Sequence, residues 1–187
     1  MASDDALHTP PPSHPVWRNP ALRGGASVTD LPRPAVTITV HGIPTPQGSK
    51  SGFAIKRGGE YTGRVAMVEG SNKSAQARQR MQSWREAVRS AAQEAMGVRQ
   101  PLDGPLSAVV VFTLPKPASA PKRRQSWPCK RPDLDKLLRA VFDAVTQAGV
   151  FRDDAQIIAL TATKRYPDEH AFALPVPGAI ITIRQIT

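Results

Sequence analysis

The segment from Leu134 to Gly149 constrains this chain more than any other. Leu134, Leu137, Leu138, Val141 and Val145 recur at three and four residues, which is one face of an α-helix, and Phe142 borders that face. Pro132 marks the entrance, because a proline disfavours the α region for the residue before it. Gly149 supplies the stop. A helix with one apolar stripe must bury it against a sheet or another helix. The flanks of this helix are unusual too. Asp133 and Asp135 stand at its entrance and Asp153 and Asp154 just past its end, in a chain with 15 acidic residues against 25 basic ones.

The elements able to cover that stripe are legible on either side. In Ala35–Gly42, Val36, Ile38 and Val40 alternate with Thr37, Thr39 and His41, predicting a half-buried strand. Pro44 and Pro46 stop its ladder, since proline has no backbone donor. Phe53 to Ile55 and Tyr61, about Gly58-Gly59, predict a short hairpin carrying Lys50, Lys56, Arg57 and Arg64. A first long helix is expected over Ser74–Met96, with Ser71, Asn72 and Ser74 as candidate caps. Its buried stripe is Met81, Trp84, Val88, Ala91, Ala92 and Ala95. Leu106–Leu114 is nearly all apolar and is expected at the centre of a sheet. Ala155–Tyr166 and Gly178–Ile186 read as two further strands. Residues 1–34 are rich in proline and show no apolar period, so a disordered or extended tail precedes one domain over 35–187.

The formal net charge is +10, which favours a polyanionic partner: nucleic acid, or less often an acidic membrane surface. No apolar run approaches the ~20 residues that span a bilayer. Met1-Ala2-Ser3-Asp4-Asp5 lacks the basic-then-apolar order of a signal peptide, so the expectation is a soluble intracellular protein with no membrane partner. A single cysteine, Cys129, excludes an internal disulfide and a multi-thiolate zinc site within one chain. The four histidines form no cluster with metal-ligand spacing. Pro115–Arg131 is expected to be a flexible basic loop: Lys116, Lys122, Arg123, Arg124, Lys130 and Arg131 with no acid, and prolines that keep it out of helix and sheet. Trp127 adds a stacking residue, and the combination suits a nucleic-acid backbone or an unpaired base.

Geometry constrains the acids. Residues two apart on an ideal helix point ~200° apart, whereas on an extended segment they share a face. Asp133 and Asp135 therefore share a metal only if the helix starts around or after Asp135. The competing account makes Asp133 an N-cap and Asp135 a first-turn acid favoured by the helix dipole. A helix of about fifteen residues also separates the two acidic pairs by over ~20 Å. They meet only if the chain folds back and brings the following strand beside the helix start.

Arg131-Pro132-Asp133-Leu134-Asp135-Lys136-Leu137, then Val141-Phe142-Asp143-Ala144-Val145-Thr146-Gln147-Ala148-Gly149, then Asp153-Asp154-Ala155-Gln156, resembles the RusA family of Holliday junction resolvases. Gly42–Gly48 (Gly-Ile-Pro-Thr-Pro-Gln-Gly) is similar to the start of phage-borne members, and the resemblance runs from about residue 35 to the end. It implies an α+β fold, a small mixed sheet with two main helices, assembled as a homodimer. It also implies an endodeoxyribonuclease that depends on Mg2+, with Mn2+ able to substitute. Such an enzyme cuts four-way and other branched DNA by paired nicks, leaves 5′-phosphate ends, and works in the cytoplasm of a bacterial host, phage-encoded members included. By motif position Asp133, Asp135 and Asp154 are the catalytic and metal-holding carboxylates. The family's catalytic lysine falls at Arg139, which keeps the charge and contacts phosphate but cannot share a proton; Lys136, ~60° round the helix, is the alternative cation. Lys122, Arg123, Arg124, Lys130, Arg131, Lys136 and Lys164 are the expected DNA-binding residues. The reading from another class is a non-catalytic basic nucleic-acid-binding module whose acids serve as caps.

Overall fold

The computed structural model describes residues 36–48, 50–69, 74–121 and 124–186. The N-terminal tail expected over 1–34 lies outside them. The elements, in order, are β1 (Val36–His41), a hairpin of β2 (Lys50–Arg57) and β3 (Glu60–Glu69), α1 (Ala75–Met96), β4 (Leu106–Thr113), α2 (Leu134–Gln147), a 3₁₀ turn at Asp154–Gln156, β5 (Ile157–Arg165) and β6 (Gly178–Gln185). This is the α+β arrangement of two helices and a mixed sheet that was expected. The main sheet has the order β1-β6-β4-β5.

Connectivity explains why the sheet is mixed. Successive parallel strands need a crossover element between them, and α2 is that element, so β4 and β5 run parallel, with Val109 opposite Thr161 and Phe112 opposite Lys164. The antiparallel pairs are β6 with β4 and β6 with β1, Ile181 lying opposite both Val110 and Ile38. β4 thus has a neighbour on each side, as its apolar run predicts. Its residues Leu106, Ala108, Val110 and Phe112 are buried together with Ile38, Ile181 and Ile183.

Both helices cover this sheet face with stripes close to those expected, although Met81, Ala91 and Ala95 of α1 and Leu134 and Leu138 of α2 are only half-buried. Trp84, Val88, Ala92 and Met96 are buried on α1, and Leu137, Ala140, Val141, Ala144 and Val145 on α2. Ser74 caps α1, its side chain accepting from the Ala77 amide at 3.1 Å. At the far end of α2 the chain departs from expectation, because the strand predicted from Ala155 begins only at Ile157. The Asp153 carboxylate accepts from the Ala155 amide at 2.8 Å, and Gln156 Oε1 accepts from the Asp153 amide at 3.2 Å. This reciprocal capping box holds one 3₁₀ turn where β-propensity alone reads a strand.

Among the described residues nothing pairs with the outer edge of β5, which exposes Ile158 and Leu160. The β2–β3 hairpin forms its own two-stranded sheet, with Phe53, Tyr61 and Met67 exposed. At the other edge, β1 and β6 approach closely where Gly178 faces His41. A Cβ on Gly178 would meet the Val40 carbonyl and lie 2.7 Å from Leu174 Cδ1. Gly178→Ala is expected to lower the unfolding free energy by about 1–3 kcal/mol, the range for overpacking. An unchanged urea midpoint would show that this edge yields at little cost.

Candidate active site at the entrance of α2

The helix begins between the two aspartates. Asp133 occupies the N-cap position with extended backbone, φ −73° and ψ 140°, and Asp135 lies in the first turn. The opposite-faces argument, which holds for two helical residues, therefore does not apply to this pair. The Asp133 side chain makes no capping hydrogen bond. Its Oδ2 instead lies 3.0 Å from Lys136 Nζ, one turn along. Capping accounts for the backbone of Asp133 but not for its carboxylate. Both aspartates are exposed.

The cations around them shape the electrostatics. The hydrogen bond from Lys136, and then its charge, hold the Asp133 carboxyl below the ordinary carboxylate range, opposed by desolvation; Arg131 and Lys164 add to the lowering. Lys164 is delivered by β5, which runs back beside α2. Its Nζ donates to the carbonyls of Lys130 at 3.0 Å and Pro132 at 2.9 Å. The chain does fold back to the helix entrance, but what arrives there is a cation. Arg139, exposed four residues beyond Asp135, lies on the same side of the helix as that acid.

Asp154 stands at the opposite end. With Asp143, Thr146, Gln147 and Asp153 it lines an open cleft of about 340 Å³. The 14 residues of α2 separate it from the entrance by ~21 Å of helix rise. Among the described residues no three Asp, Glu, His or Cys side chains gather closely enough to hold a metal ion. The structure thus brings together Asp133, Asp135, Lys136 and Lys164, with Lys130 and Arg131 adjoining. Asp154 is left apart.

Two supporting residues were not visible in the sequence. Glu169 pins the basic loop: its carboxylate receives Lys116 Nζ, the Ser126 amide at 3.1 Å and the Ser126 hydroxyl at 3.3 Å. The Lys116 hydrogen bond is the main reason its carboxyl lies below the usual range. Trp127 of the same loop carries the Arg165 guanidinium 4.4 Å over its ring. No spacing signal marks Glu169, which lies more than forty residues from Ser126. The second residue is Gln47, whose amide donates to the Lys136 carbonyl at 2.9 Å. Its side chain is 5% exposed, and the buried Oε1 has no partner. The available signal was the Gly42–Gly48 motif, which docks on the first turn of α2. Arg124 is exposed on the loop, and Lys122 and Arg123 lie outside the described residues.

Exposed carboxylates set among cations, beside a pinned basic loop, form the kind of site that handles phosphodiesters. Residues 61–175, more than half of the chain, match the family of the endodeoxyribonuclease RusA. The chain belongs to that family. The matched stretch contains both acidic pairs and the whole of α2, and stops short of β1 and β6. No curated protein matches the chain.

Lys136→Met is expected to move the Asp133 pKa upward towards its ordinary value, read by carboxyl-carbon NMR titration. Because the folded pKa is depressed, ionised Asp133 favours the fold above its unfolded pKa, and that contribution fades as pH falls through the folded pKa. The substitution should narrow this window from its acid side. An unmoved titration would remove Lys136 as its cause.

Proposed function

We propose that the protein is a Mg2+-dependent endonuclease that cuts four-way and other branched DNA by paired nicks. The observation that carries this reading is the Asp133 carboxylate, which leaves the helix N-terminus uncapped and is kept ionised beside Asp135. Two exposed carboxylates fit a hard divalent cation that prefers oxygen ligands, and Asp133 and Asp135 are the residues that would hold it. A bound ion would supply Lewis-acid polarisation of the phosphate and an activated water. Lys136 and Arg139 face the negative charge that builds on the phosphate during cleavage. Lys130, Arg131 and Arg124, with Lys122 and Arg123, hold the DNA strands, mostly by phosphate contact. Lys164, bonded to two carbonyls, positions the entrance and adds positive potential.

Two carboxylates make half a site, and the free edge of β5 supports a source for the third. Asp153 and Asp154 precede this strand, and Lys164 and Arg165 end it. Antiparallel pairing of two copies along β5 sets opposite charges together at both ends and covers Ile158 and Leu160. Such a contact is self-complementary, as a two-fold requires, and it removes an open sheet edge. A two-fold near Leu160 puts the partner's Asp154 across from Tyr166, two residues from Lys164. Each entrance then gains its third acid from the other copy, and two such entrances suit the paired strands of a four-way junction.

The basic test is nicking of a labelled four-way junction against linear duplex of the same sequence, with Mg2+ and with EDTA. Paired, metal-dependent cuts in the junction alone are expected. Asp135→Asn should reduce cutting by at least about a thousandfold, in line with losing the main electrostatic contribution, and leave junction binding in place. Binding without cuts under any divalent ion would favour a non-catalytic binding module instead, consistent with arginine at position 139. The shared site has its own test. Asp133→Asn and Asp154→Asn chains should each be inactive alone, whereas their co-expressed heterodimer holds one intact site and should nick one strand. An inert heterodimer would overturn the sharing between copies, and an active Asp154→Asn chain would place Asp154 outside the reaction.

A further inference from the structure

Directly before the carboxylates lies a feature that the endonuclease reading does not use. A cavity of about 280 Å³ opens beside Lys130, Arg131 and Pro132. Its walls include Pro44, Leu114, Pro117, Pro128 and Tyr166, drawn from four separate stretches of chain. Leu114, Tyr166, Pro44 and Pro128 are buried, whereas Lys130 and Arg131 are exposed at the rim. No carboxylate lines it, so it is not a cation site. Its cations stand at the mouth and its depth is apolar, so a phosphate would find no partner inside.

We propose that this pocket takes up one unstacked nucleobase of the strand to be cut. The inference rests on the endonuclease reading and adds a specificity site to it. The size lies at the low end for ligand cavities, about 300–1,000 Å³, which suits a single ring system. A tyrosine offers a flat surface on which a base can stack, the proline rings offer rigid apolar walls, and stacking needs no fixed donors. The rim cations are placed to hold the phosphates on either side of that base. Lys130 to Pro132 form one wall and lead without a break into Asp133, so a base in the pocket belongs to a nucleotide next to the phosphate at the carboxylates. The pocket is built in advance. Lys164 holds the carbonyls of Lys130 and Pro132, and the Gln47 amide ties the Gly42–Gly48 stretch to α2. Enzymes that extrude a base gain selectivity from the cost of unstacking it. At the crossover of a branched junction that cost is lowest. Apolar walls discriminate by shape, so this pocket also sets a preference among bases at the cut.

The experiment uses the full chain and four-way junctions carrying 2-aminopurine at successive positions around the crossover. Binding is driven to saturation in EDTA and followed by anisotropy. The blocking variant is Ile43→Trp, since Ile43 lines the mouth and is 61% exposed, so an indole can fill the opening without entering the core. One position is expected to brighten several-fold on saturation with the wild-type chain, and this signal should vanish with Ile43→Trp. With Mg2+, an abasic site at that position should slow wild-type cutting about tenfold, the scale of a lost base-stacking contact, and should not slow Ile43→Trp further. A saturated junction with no brightened position, or an equal signal from Ile43→Trp, would overturn the pocket and leave the endonuclease standing. Failure to bind the junction at all would overturn the endonuclease reading and the pocket with it.

Discussion

The ammonium of Lys164 joins three parts of the molecule that have no other reason to meet. It ends the parallel strand β5, donates to carbonyls on both sides of Arg131, and lends positive charge to Asp133. Carbonyls left without donors at this half-buried turn would carry a desolvation cost, and an ammonium satisfies two of them with charge-assisted bonds. Its place is set deep in the fold, since Lys164 lies opposite Phe112 of β4, a residue with no exposure. Slipping β5 by one residue would turn every side chain to the other face of the sheet, and Lys164 would leave the helix entrance. The electrostatics of the candidate site are thus a consequence of strand register.

Helix dipole and charge tell different stories at the two ends of α2. At the entrance, the positive end of the dipole and the surrounding cations both favour ionised Asp133. At the exit, Asp143, Asp153 and Asp154 line one open cleft beside the negative end of the helix.

Much of this was legible in the chain because it depends on local pattern. The stripes of α1 and α2, the Ser74 cap and the central place of β4 all follow from spacing over a few residues. The carboxylate pair was legible as chemistry but not as geometry. Whether Asp133 spends its carboxylate on capping depends on a side-chain torsion and on Lys136, and neither leaves a trace in spacing. Strand order was the larger gap. Nothing in Ile157–Arg165 says whether its start or its end reaches the helix entrance, so a returning strand stood only as a condition and the residue it delivers there was not foreseen. Glu169 and Gln47 act over long sequence separations, where a single residue carries no periodic signal. The capping box after Asp153 was written in the sequence as Asp-x-x-Gln, but the apolar residues following it pointed to strand.

The place of β6 has a consequence for how such a protein is made. It lies between β1 and β4, so the first described strand is joined to the rest of the sheet only through the last. During synthesis β1 must wait, with Val36, Ile38 and Val40 lacking their sheet partner, until residues 178–185 have left the ribosome. Contacts this distant in sequence form late, and domains generally fold as units. A chain broken off before Gly178 would carry every acid discussed above yet lack the strand that closes the sheet around them. The architecture therefore makes closure of the main sheet one of the last events in building the chain.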